Sequence, residues 1–169
     1  MKTVLVTGAN GFVGKNLVEC LSRLDDVTTL VFNRGDSADN LQCLINKCDF
    51  IFHTAGVNRP VNTDDFDLVN VGLTDRVIDC IKISGRKIPI AYTSSIQTEI
   101  NNPYGISKKN AEGHLIKFNK ETYNPVYIYR LPNLFGKWCK PNYNSVVATF
   151  CYNISHNIEI VISDKNKIL

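Results

Sequence analysis

The 169-residue chain has no long apolar run, no paired cysteine motif and little excess charge. Its longest apolar run falls far below the roughly 18 residues that a membrane-crossing helix needs, so we expect no membrane partner. Its 19 basic and 16 acidic residues give a net charge of +3, and because the cations are scattered we expect no nucleic-acid partner. Met1-Lys2-Thr3 leads directly into a strand pattern, which predicts a cytoplasmic protein without a signal peptide.

The six cysteines form no Cys-x-x-Cys pair and no ligand-like group with the three histidines. Several stand at apolar positions of helical patterns, where cysteine behaves as a small hydrophobe. We therefore expect reduced, buried thiols, as in a cytosolic protein, and no metal site.

Short β-branched or aromatic runs alternate with helical patterns, and no repeat, low-complexity tract or Pro/Gly-rich linker interrupts them. The runs predict strands at 3–7, 27–32, 50–54, 88–93, 126–129 and 158–162. The helical patterns cover 13–24, 41–47, 66–84, 104–122 and 146–154. Apolar strands separated by helices indicate an α/β fold with a doubly wound parallel sheet. The length suits one domain over 1–169.

The C-terminal segment departs from this alternation. A turn at 163–167 follows the last predicted strand, and only Ile168 and Leu169 come after it. An open α/β sheet normally continues with elements that cover such a strand. We therefore expect a segment of a longer protein, in which the substrate-binding C-terminal part is incomplete.

A glycine turn, residues 8–14, directly follows the first strand and opens the first helix. Gly8 allows the tight turn, Gly11 lets phosphates approach the backbone, and Gly14 lets the helix pack close to the strand. A pyrophosphate would lie on the free amides at the positive end of this helix. The pattern predicts a Rossmann-type dinucleotide site, although a tight turn without a ligand stays open. The residues assigned to this site are Thr7, Gly8, Asn10, Gly11, Phe12, Val13 and Gly14.

The end of the second strand bears on the choice of dinucleotide. NAD-dependent enzymes place a carboxylate about 20 residues past the glycine turn, where it holds the ribose 2′-hydroxyl. Here the strand ends in Phe32-Asn33-Arg34, and Arg34 could pair with a 2′-phosphate. NADPH is therefore favoured over NADH, although Asp36 leaves NADH open and Arg34 could be a solvated loop cation.

A serine pair and a tyrosine–lysine pair follow the fourth strand. Ser94 and Ser95 come at its carboxyl end, where open α/β sheets bind ligands. Tyr104 and Lys108 are four residues apart on a helix and therefore share a face. A neighbouring ammonium would lower the pKa of the phenol toward the neutral range. The set suits hydride transfer to a carbonyl, with Tyr104 giving the proton, although each part alone is also ordinary surface chemistry.

These motifs, in this order, resemble the extended branch of the short-chain dehydrogenase/reductase superfamily, whose members act on nucleotide sugars. The resemblance rests on Thr7-Gly8-x-x-Gly11-x-x-Gly14, His53-Thr54-Ala55-Gly56, Asn70, Tyr104-x-x-x-Lys108 and the segment 130–136. It implies an NAD(P)-dependent oxidoreductase, catalytic roles for Ser95, Tyr104 and Lys108, and a homodimer through the helices at 66–84 and 104–122. By this resemblance the cofactor also contacts Ala55, Gly56, Val57, Tyr104, Lys108, Leu131 and Asn133.

A narrower resemblance concerns the substrate. The segments 56–60, 94–97, 102–105 and 134–145 are similar to the capsular-polysaccharide reductases that make UDP-N-acetyl-L-fucosamine precursors. This similarity implies NADPH-dependent reduction of the C4 ketone of a UDP-linked 4-keto-6-deoxy N-acetyl amino sugar. Those reductases continue into a cupin domain with an epimerase activity, which we do not carry over. Ile96-Gln97 replaces the Asp-Glu of related dehydratases, so a 4,6-dehydratase is not expected.

The polar loop at 137–145 suits a UDP-sugar, because lysine binds phosphate and tryptophan or tyrosine stacks on rings. It could equally be a capped loop before the helix at 146–154, with Asn144 or Ser145 as the N-cap. The residues assigned to the UDP-sugar are Asn58, Arg59, Ser94, Gln97, Asn133, Lys140, Tyr143, Asn144 and Ser145.

Two other functions stay open on the sequence. A sugar-nucleotide 4-epimerase would use the same residues but would keep its NAD bound and regenerate it. A truncated dinucleotide-binding module without turnover would fit the abrupt C-terminal end.

Overall fold

The computed structural model describes residues 1–60, 62 and 65–162. The chain forms two compact units, Met1–Arg130 and Leu131–Leu169. The strands are β1 (Lys2–Thr7), β2 (Val27–Phe32), β3 (Phe50–His53), β4 (Ile90–Ser95) and β5 (Val126–Leu131). The α-helices are α1 (Phe12–Leu21), α2 (Ala38–Lys47), α3 (Gly72–Ser84), α4 (Pro103–Thr122) and α5 (Val146–Ser155). A π-helix, Phe66–Val71, leads into α3, and a 3₁₀ turn, Ile96–Glu99, follows β4.

The five strands form one sheet in the order β2-β1-β3-β4-β5. β1 pairs in parallel with both β2 and β3, and β3 pairs in parallel with β4. The strand order therefore reverses between β1 and β3, and such a switch point opens a ligand-binding crevice at the carboxyl ends of the strands. The register places Thr7 opposite Phe32 on one side and His53 on the other. This topology confirms the predicted Rossmann-type parallel sheet.

Both faces of the sheet are covered by helices. Val4 and Val6 of β1 pack with Leu17 and Leu21 of α1. The next residue along β1, Leu5, points to the opposite face because strand side chains alternate. On that face the sheet packs against α2, α3 and α4, whose buried residues include Leu41, Ile45, Ile81, Leu115 and Phe118. Each fully buried leucine or isoleucine contributes about 1.5–3 kcal/mol, so the second face holds most of the apolar stabilisation.

Two of the predicted elements differ from the structure. The helix predicted at 66–84 is divided into the π-helix and α3. The strand predicted at 158–162 is wrong: in the described part of the chain this segment is irregular. Its backbone bonds back to the preceding helix, since the Ile158 amide donates to the Asn153 carbonyl and Asn153 donates to the Glu159 carbonyl. The predicted turn at 163–167 lies outside the described residues.

The prediction of buried thiols is wrong for half of the cysteines. All six are free, and Cys48 is buried, but Cys20, Cys43 and Cys151 are exposed. An apolar position in a helical pattern does not always face the sheet. In α1, Leu17 and Leu21 face the sheet, whereas Cys20 lies beside them and is exposed. No described helix combines the length and the apolar character that crossing a bilayer requires. The described residues also bring together no group of three His, Cys, Asp or Glu side chains that could hold a metal ion.

Candidate active site

The glycine turn lies at the switch point between β1 and β3. Gly8 has a φ of +71°, and a Cβ there would lie 2.6 Å from the Ala55 Cα. A Cβ on Gly14 would lie 2.2 Å from the Gly8 carbonyl oxygen. These two positions therefore admit only glycine, because any side chain would push α1 away from β1 or the turn away from Ala55.

The N-terminus of α1 has free backbone donors. Gly11 is its N-cap and offers no side-chain acceptor, and the first turn carries no acidic residue. By contrast, Ser37, Asn102 and Ser145 cap α2, α4 and α5 with side-chain oxygens. The amides at Phe12 and Val13 thus keep their hydrogen-bonding capacity and the partial positive charge of the helix end. A diphosphate fits this turn.

The loop after β2 is tied to the glycine turn. The Asn10 amide donates to Asn33 Oδ1 across 2.8 Å, and the Asn33 amide donates to Asp36 Oδ2 across 2.7 Å. Asp36 therefore closes its own loop through one oxygen of its carboxylate. Arg34 between them is exposed, so its guanidinium can reach a 2′-phosphate.

Tyr104 is placed by the start of α4. The Asn102 side chain accepts from the Gly105 amide across 2.7 Å and Pro103 begins the helix, which is a favourable N-terminus. A Cβ on Gly105 would lie 2.1 Å from the Gln97 carbonyl oxygen, so glycine allows α4 to begin against the 3₁₀ turn. Tyr104 is thereby brought beside Ser95. Burial raises the pKa of Tyr104, and a hydrogen bond with the Ser95 side chain opposes that rise.

Lys108 is buried one helical turn after Tyr104. Its Nζ donates to the Thr93 carbonyl across 2.8 Å and to the Tyr92 hydroxyl across 3.1 Å. Burial lowers the pKa of Lys108 to about 8, while Glu112 one turn further acts in the opposite direction. The sequence predicted that Lys108 lowers the pKa of Tyr104, and this prediction is wrong. The ammonium is engaged with Tyr92 and Thr93, and burial leaves the pKa of Tyr104 above its ordinary value.

The segment after β3 lies beside Lys108. A Cβ on Gly56 would lie 3.0 Å from Asn70 Oδ1 and 3.3 Å from Lys108 Nζ. Asn70 also exchanges two hydrogen bonds with the Val57 backbone, at 2.8 and 3.0 Å, and donates to Ser107 Oγ at 2.9 Å. The structure therefore brings Ala55, Gly56 and Val57 together with the glycine turn and α4, as a shared cofactor site requires.

The residues assigned to the substrate in the first unit do not all come together. Gln97 is half-buried and accepts from the Asn102 side chain at 3.3 Å, next to Tyr104. Asn58 and Arg59 are exposed after β3. Ser94 does not face the site, because its hydroxyl is buried and donates to Glu112 Oε1 across 2.5 Å. The alternation of strand side chains sends Ser94 and Ser95 to opposite faces.

An ion pair between the buried Glu112, one turn after Lys108, and the exposed Arg130 was not predicted from the sequence. Arg130 at the end of β5 donates from Nε and Nη2 to the two carboxylate oxygens of Glu112, at 3.0 and 2.7 Å, and also contacts Glu99. Burial would raise the pKa of Glu112, but the bonds from Arg130 and Ser94 hold it below its ordinary value. The position of Glu112, four residues after Lys108, was the available signal, since it puts both groups on one face of α4.

In the second unit, the assigned residues flank the start of α5. Leu131 is half-buried, and four of the others are exposed: Asn133, Lys140, Tyr143 and Asn144. Ser145 is buried, and its side chain accepts from the Ala148 amide at 3.3 Å. Ser145 is therefore the N-cap of α5, which matches the capped-loop alternative for this residue.

Comparisons with known proteins agree with this geometry. The model of the NAD dependent epimerase/dehydratase family matches residues 4–167. The chain is 51% identical over 163 residues to the UDP-2-acetamido-2,6-beta-L-arabino-hexul-4-ose reductase of Pseudomonas aeruginosa, covering 96% of this chain and 44% of that protein. It also matches the crystal structure of the capsular polysaccharide assembling protein CapF from Staphylococcus aureus. That match has a TM-score of 0.84 and 48% identity, over 97% of this chain and 44% of that one.

A more distant structure shows the fold alone. RMD from Pseudomonas aeruginosa, solved in complex with NADPH, matches with a TM-score of 0.82 and 23% identity, over 93% of this chain and 62% of that one. The chain spans less than half the length of the reductase and of CapF. The family match nonetheless extends over nearly all of this chain and includes the glycine turn, Tyr104 and Lys108. The chain belongs to the NAD dependent epimerase/dehydratase family.

Proposed function

We propose that this chain is the cofactor-binding and catalytic part of an NADPH-dependent oxidoreductase. Its substrate would be a UDP-linked 4-keto-6-deoxy N-acetyl amino sugar, reduced at the C4 ketone during synthesis of a capsular or surface polysaccharide precursor. The observation that carries the proposal is a meeting of two elements: the first turn of α4, which carries Tyr104, lies against the 3₁₀ turn that Ser95 caps, one helical turn from the buried Lys108. The 51% identity to the Pseudomonas reductase supports the substrate class.

The glycine turn, the free amides of α1 and exposed Arg34 fit the diphosphate and the 2′-phosphate of NADPH. When bound, NADPH supplies the hydride for the carbonyl carbon. The choice of NADPH over NADH rests on Arg34, since Asp36 receives the Asn33 amide on one oxygen only. Lys108, buried beside Gly56, would hold the ribose next to the nicotinamide.

Tyr104 is the proton donor to the ketone oxygen. As hydride adds to C4, negative charge develops on that oxygen, and the Tyr104 proton converts it to the hydroxyl of the product. The Ser95 hydroxyl orients the oxygen toward Tyr104. The phenolate that remains takes a proton back from solvent. Lys108, with a pKa of about 8, carries its charge at neutral pH one helical turn away, beside the proposed ribose site.

Within the first unit, the residues proposed for the UDP-sugar are Asn58, Arg59 and Gln97. Within the second unit, taken by itself, they are Asn133, Lys140, Tyr143 and Asn144. Exposed cations suit the diphosphate, and the exposed Tyr143 ring suits stacking on uracil or sugar. The Ser94 and Ser145 hydroxyls are engaged inside the protein, with Glu112 and with the α5 cap, so we leave both out of this set.

We further propose a cytoplasmic homodimer. Six free cysteines suit a reducing compartment. A hydrogen bond between His114 Nδ1 and Asp75, at 2.5 Å, and an ion pair between Lys82 and Glu121, at 3.3 Å, join α3 to α4. Exposed apolar side chains on these two helices, Ile83 and Ile116, support a helix-pair interface.

The Tyr104→Phe variant tests the function. A positioned general acid contributes about 10²–10⁴-fold, so we expect turnover of NADPH with the keto sugar to fall by at least about a hundredfold. Dinucleotide affinity should stay close to that of the wild type, since the ring remains. The matched control is Tyr127→Phe, which alters an exposed tyrosine of β5. Full turnover in Tyr104→Phe would overturn the assignment.

The same assay separates the alternatives. A reductase oxidises added NADPH in proportion to the keto sugar consumed. A 4-epimerase interconverts its sugars without net oxidation of NADPH, and a binding module gives neither reaction while still binding the dinucleotide.

A further inference from the structure

His53 is a fully buried residue that the proposed reaction does not use. It is the last residue of β3, two residues before Ala55. Its Nδ1 lies 2.7 Å from the Thr7 hydroxyl oxygen, and its Nε2 lies 3.0 Å from the Thr74 hydroxyl oxygen. Thr7 ends β1 directly before the glycine turn, and Thr74 is in the first turn of α3. The buried imidazole therefore links the end of β1 to the start of α3.

The neighbouring hydroxyls determine which ring nitrogen carries the proton. Thr74 Oγ1 lies 2.7 Å from the Asn70 carbonyl oxygen, which can only accept. The single hydroxyl hydrogen of Thr74 is thus donated to Asn70, and Thr74 must accept from a protonated Nε2 of His53. Nδ1 is then bare and accepts the Thr7 hydroxyl hydrogen. Thr7 in turn accepts from the Ala55 amide at 3.3 Å, so every donor is used once.

The hydrogen bonds continue from Asn70 to α4. Asn70 Nδ2 donates to Ser107 Oγ at 2.9 Å, and Ser107 Oγ donates to the Tyr104 carbonyl at 2.8 Å. The bonds form two runs that meet at Asn70. In the first, Thr7 donates to His53, His53 to Thr74, and Thr74 to the Asn70 backbone carbonyl; in the second, the Asn70 side chain donates to Ser107 and Ser107 to the Tyr104 carbonyl. Such aligned hydrogen bonds reinforce one another in a low-dielectric interior. The glycine-turn strand and the backbone of the proton donor are therefore joined by two runs of hydrogen bonds that meet at Asn70.

The His53 ring also contacts the neighbour of Lys108. It stacks on the Tyr92 ring with a centroid distance of 5.4 Å, and the Tyr92 hydroxyl accepts from Lys108. Burial, followed by the positive charge of Lys108, lowers the pKa of His53 to about 3. The imidazole is therefore neutral at physiological pH, which the proton count above also requires.

We propose that His53, held as the neutral Nε2–H tautomer, is a positioning residue that fixes the strand before the glycine turn relative to the helix carrying Tyr104 and Lys108. Displacements of about 1 Å at a reacting centre cost about a hundredfold in rate. The hydrogen bonds of His53 would keep the dinucleotide and the proton donor at a fixed distance from each other. The kinetic consequence rests on the proposed reductase function. The tautomer and the linkage can be measured without it.

Ring-nitrogen NMR of the ¹⁵N-histidine-labelled chain tests the tautomer directly. We expect a bare-nitrogen signal for Nδ1 and an N–H signal for Nε2, with no titration between about pH 5 and pH 8. A protonated Nδ1 in the wild type, or titration of His53 in that range, would overturn the inference.

Variants of Thr74 test the linkage. In Thr74→Val the Nε2 hydrogen has no acceptor, so we expect the proton to move to Nδ1, where Thr7 can accept it. We also expect the Tyr104 ring signal of ¹³C-tyrosine-labelled protein to shift. Thr74→Ser keeps the hydroxyl and should preserve both signals, and it keeps the test decisive if Thr74→Val does not fold. Thr28→Val, on half-buried β2, is the matched control and should move neither.

Turnover adds a functional readout. We expect Thr74→Val to reduce keto-sugar turnover about ten- to one-hundred-fold with NADPH affinity near that of the wild type, while Thr74→Ser stays active. Equal losses in the two variants, or an unshifted Tyr104 signal in Thr74→Val, would refute the positioning role. If the wild type itself lacks turnover, the proposed function fails, and the histidine and tyrosine signals still decide the role of His53.

Discussion

The Lys108 ammonium lies 3.1 Å from the Tyr92 hydroxyl oxygen and 4.5 Å from the centre of the Tyr92 ring. Both contacts favour the charged form of a lysine that burial makes less basic. Tyr92 is itself fully buried between β3 and α4, so the ammonium is held by the core and not by solvent. The site thus keeps a cation inside the protein, beside the place proposed for the nicotinamide ribose.

We expect Tyr92→Phe to lower the pKa of Lys108 further, because an acceptor of the ammonium is lost while its burial remains. The proposed reaction needs the protonated lysine, so the alkaline limb of the pH–turnover profile should move to lower pH by up to about one unit. Tyr129→Phe, on an exposed tyrosine of β5, is the control. An unchanged alkaline limb in Tyr92→Phe would show that Tyr92 does not support the charge.

Arg34→Ala tests the preference for NADPH. Removing a cation that pairs with the 2′-phosphate should weaken NADPH about tenfold or more and leave NADH unchanged. Fluorescence titration of both dinucleotides measures the two affinities, and Arg76→Ala on the exposed surface of α3 is the control. Equal weakening of both dinucleotides, or of neither, would argue that Arg34 is a solvated loop cation.

Two glycine substitutions should have opposite effects on stability. A Cβ on Gly14 would lie 2.2 Å from the Gly8 carbonyl oxygen and 2.7 Å from the Ala9 Cα, so Gly14→Ala should destabilise the protein by about 1–3 kcal/mol and abolish dinucleotide binding. Gly113 is an exposed residue within α4, and no atom lies within 4 Å of its added Cβ. Gly113→Ala should therefore stabilise the chain by about 0.5–1 kcal/mol. Denaturant unfolding measures both values, and stabilisation by Gly14→Ala would contradict the close approach of α1 and β1.

Local patterns were sufficient to predict most of the fold. The apolar run of β1, the glycine turn and the spacing of Tyr104 and Lys108 each depend on residues close in sequence, and their placement follows from the parallel sheet. The face to which Ser94 points and the pairing of Arg130 with Glu112 depend on contacts between distant segments. Strand alternation separates Ser94 from Ser95, and the spacing puts Glu112 on the face of Lys108, but neither local pattern identifies the distant partner.

The predictions for 66–84 and 158–162 differ from the structure because local patterns do not report which backbone groups bond to each other. A 3.6-residue periodicity predicts a helix over 66–84 but does not distinguish the wider π-helical turns of Phe66–Val71. The apolar run at 158–162 has strand composition, but its backbone bonds go to Asn153, and a strand requires a neighbouring strand. Composition reports what a segment can form, and its partners determine what it does form.

Lys108→Met should change how stability depends on pH. In the folded chain, burial lowers the pKa of Lys108 to about 8 from its ordinary value of 10.5. Between these two values the unfolded chain holds a proton on this lysine that the folded chain has released. The lysine therefore makes stability rise with pH across this window, and below about pH 8 the buried charge opposes folding.

Subtracting the unfolding free energies of Lys108→Met from those of the wild type isolates this effect. We expect the difference to rise by roughly 2–4 kcal/mol from about pH 8 to about pH 10.5, while other titrating groups cancel. Lys109→Met, on the exposed neighbouring lysine, should give a flat difference. A flat difference for Lys108→Met as well would mean that the ammonium is as well solvated in the folded chain as in the unfolded one. The ammonium would then not be a desolvated cation of the folded site, and its proposed role beside the ribose would lose its support.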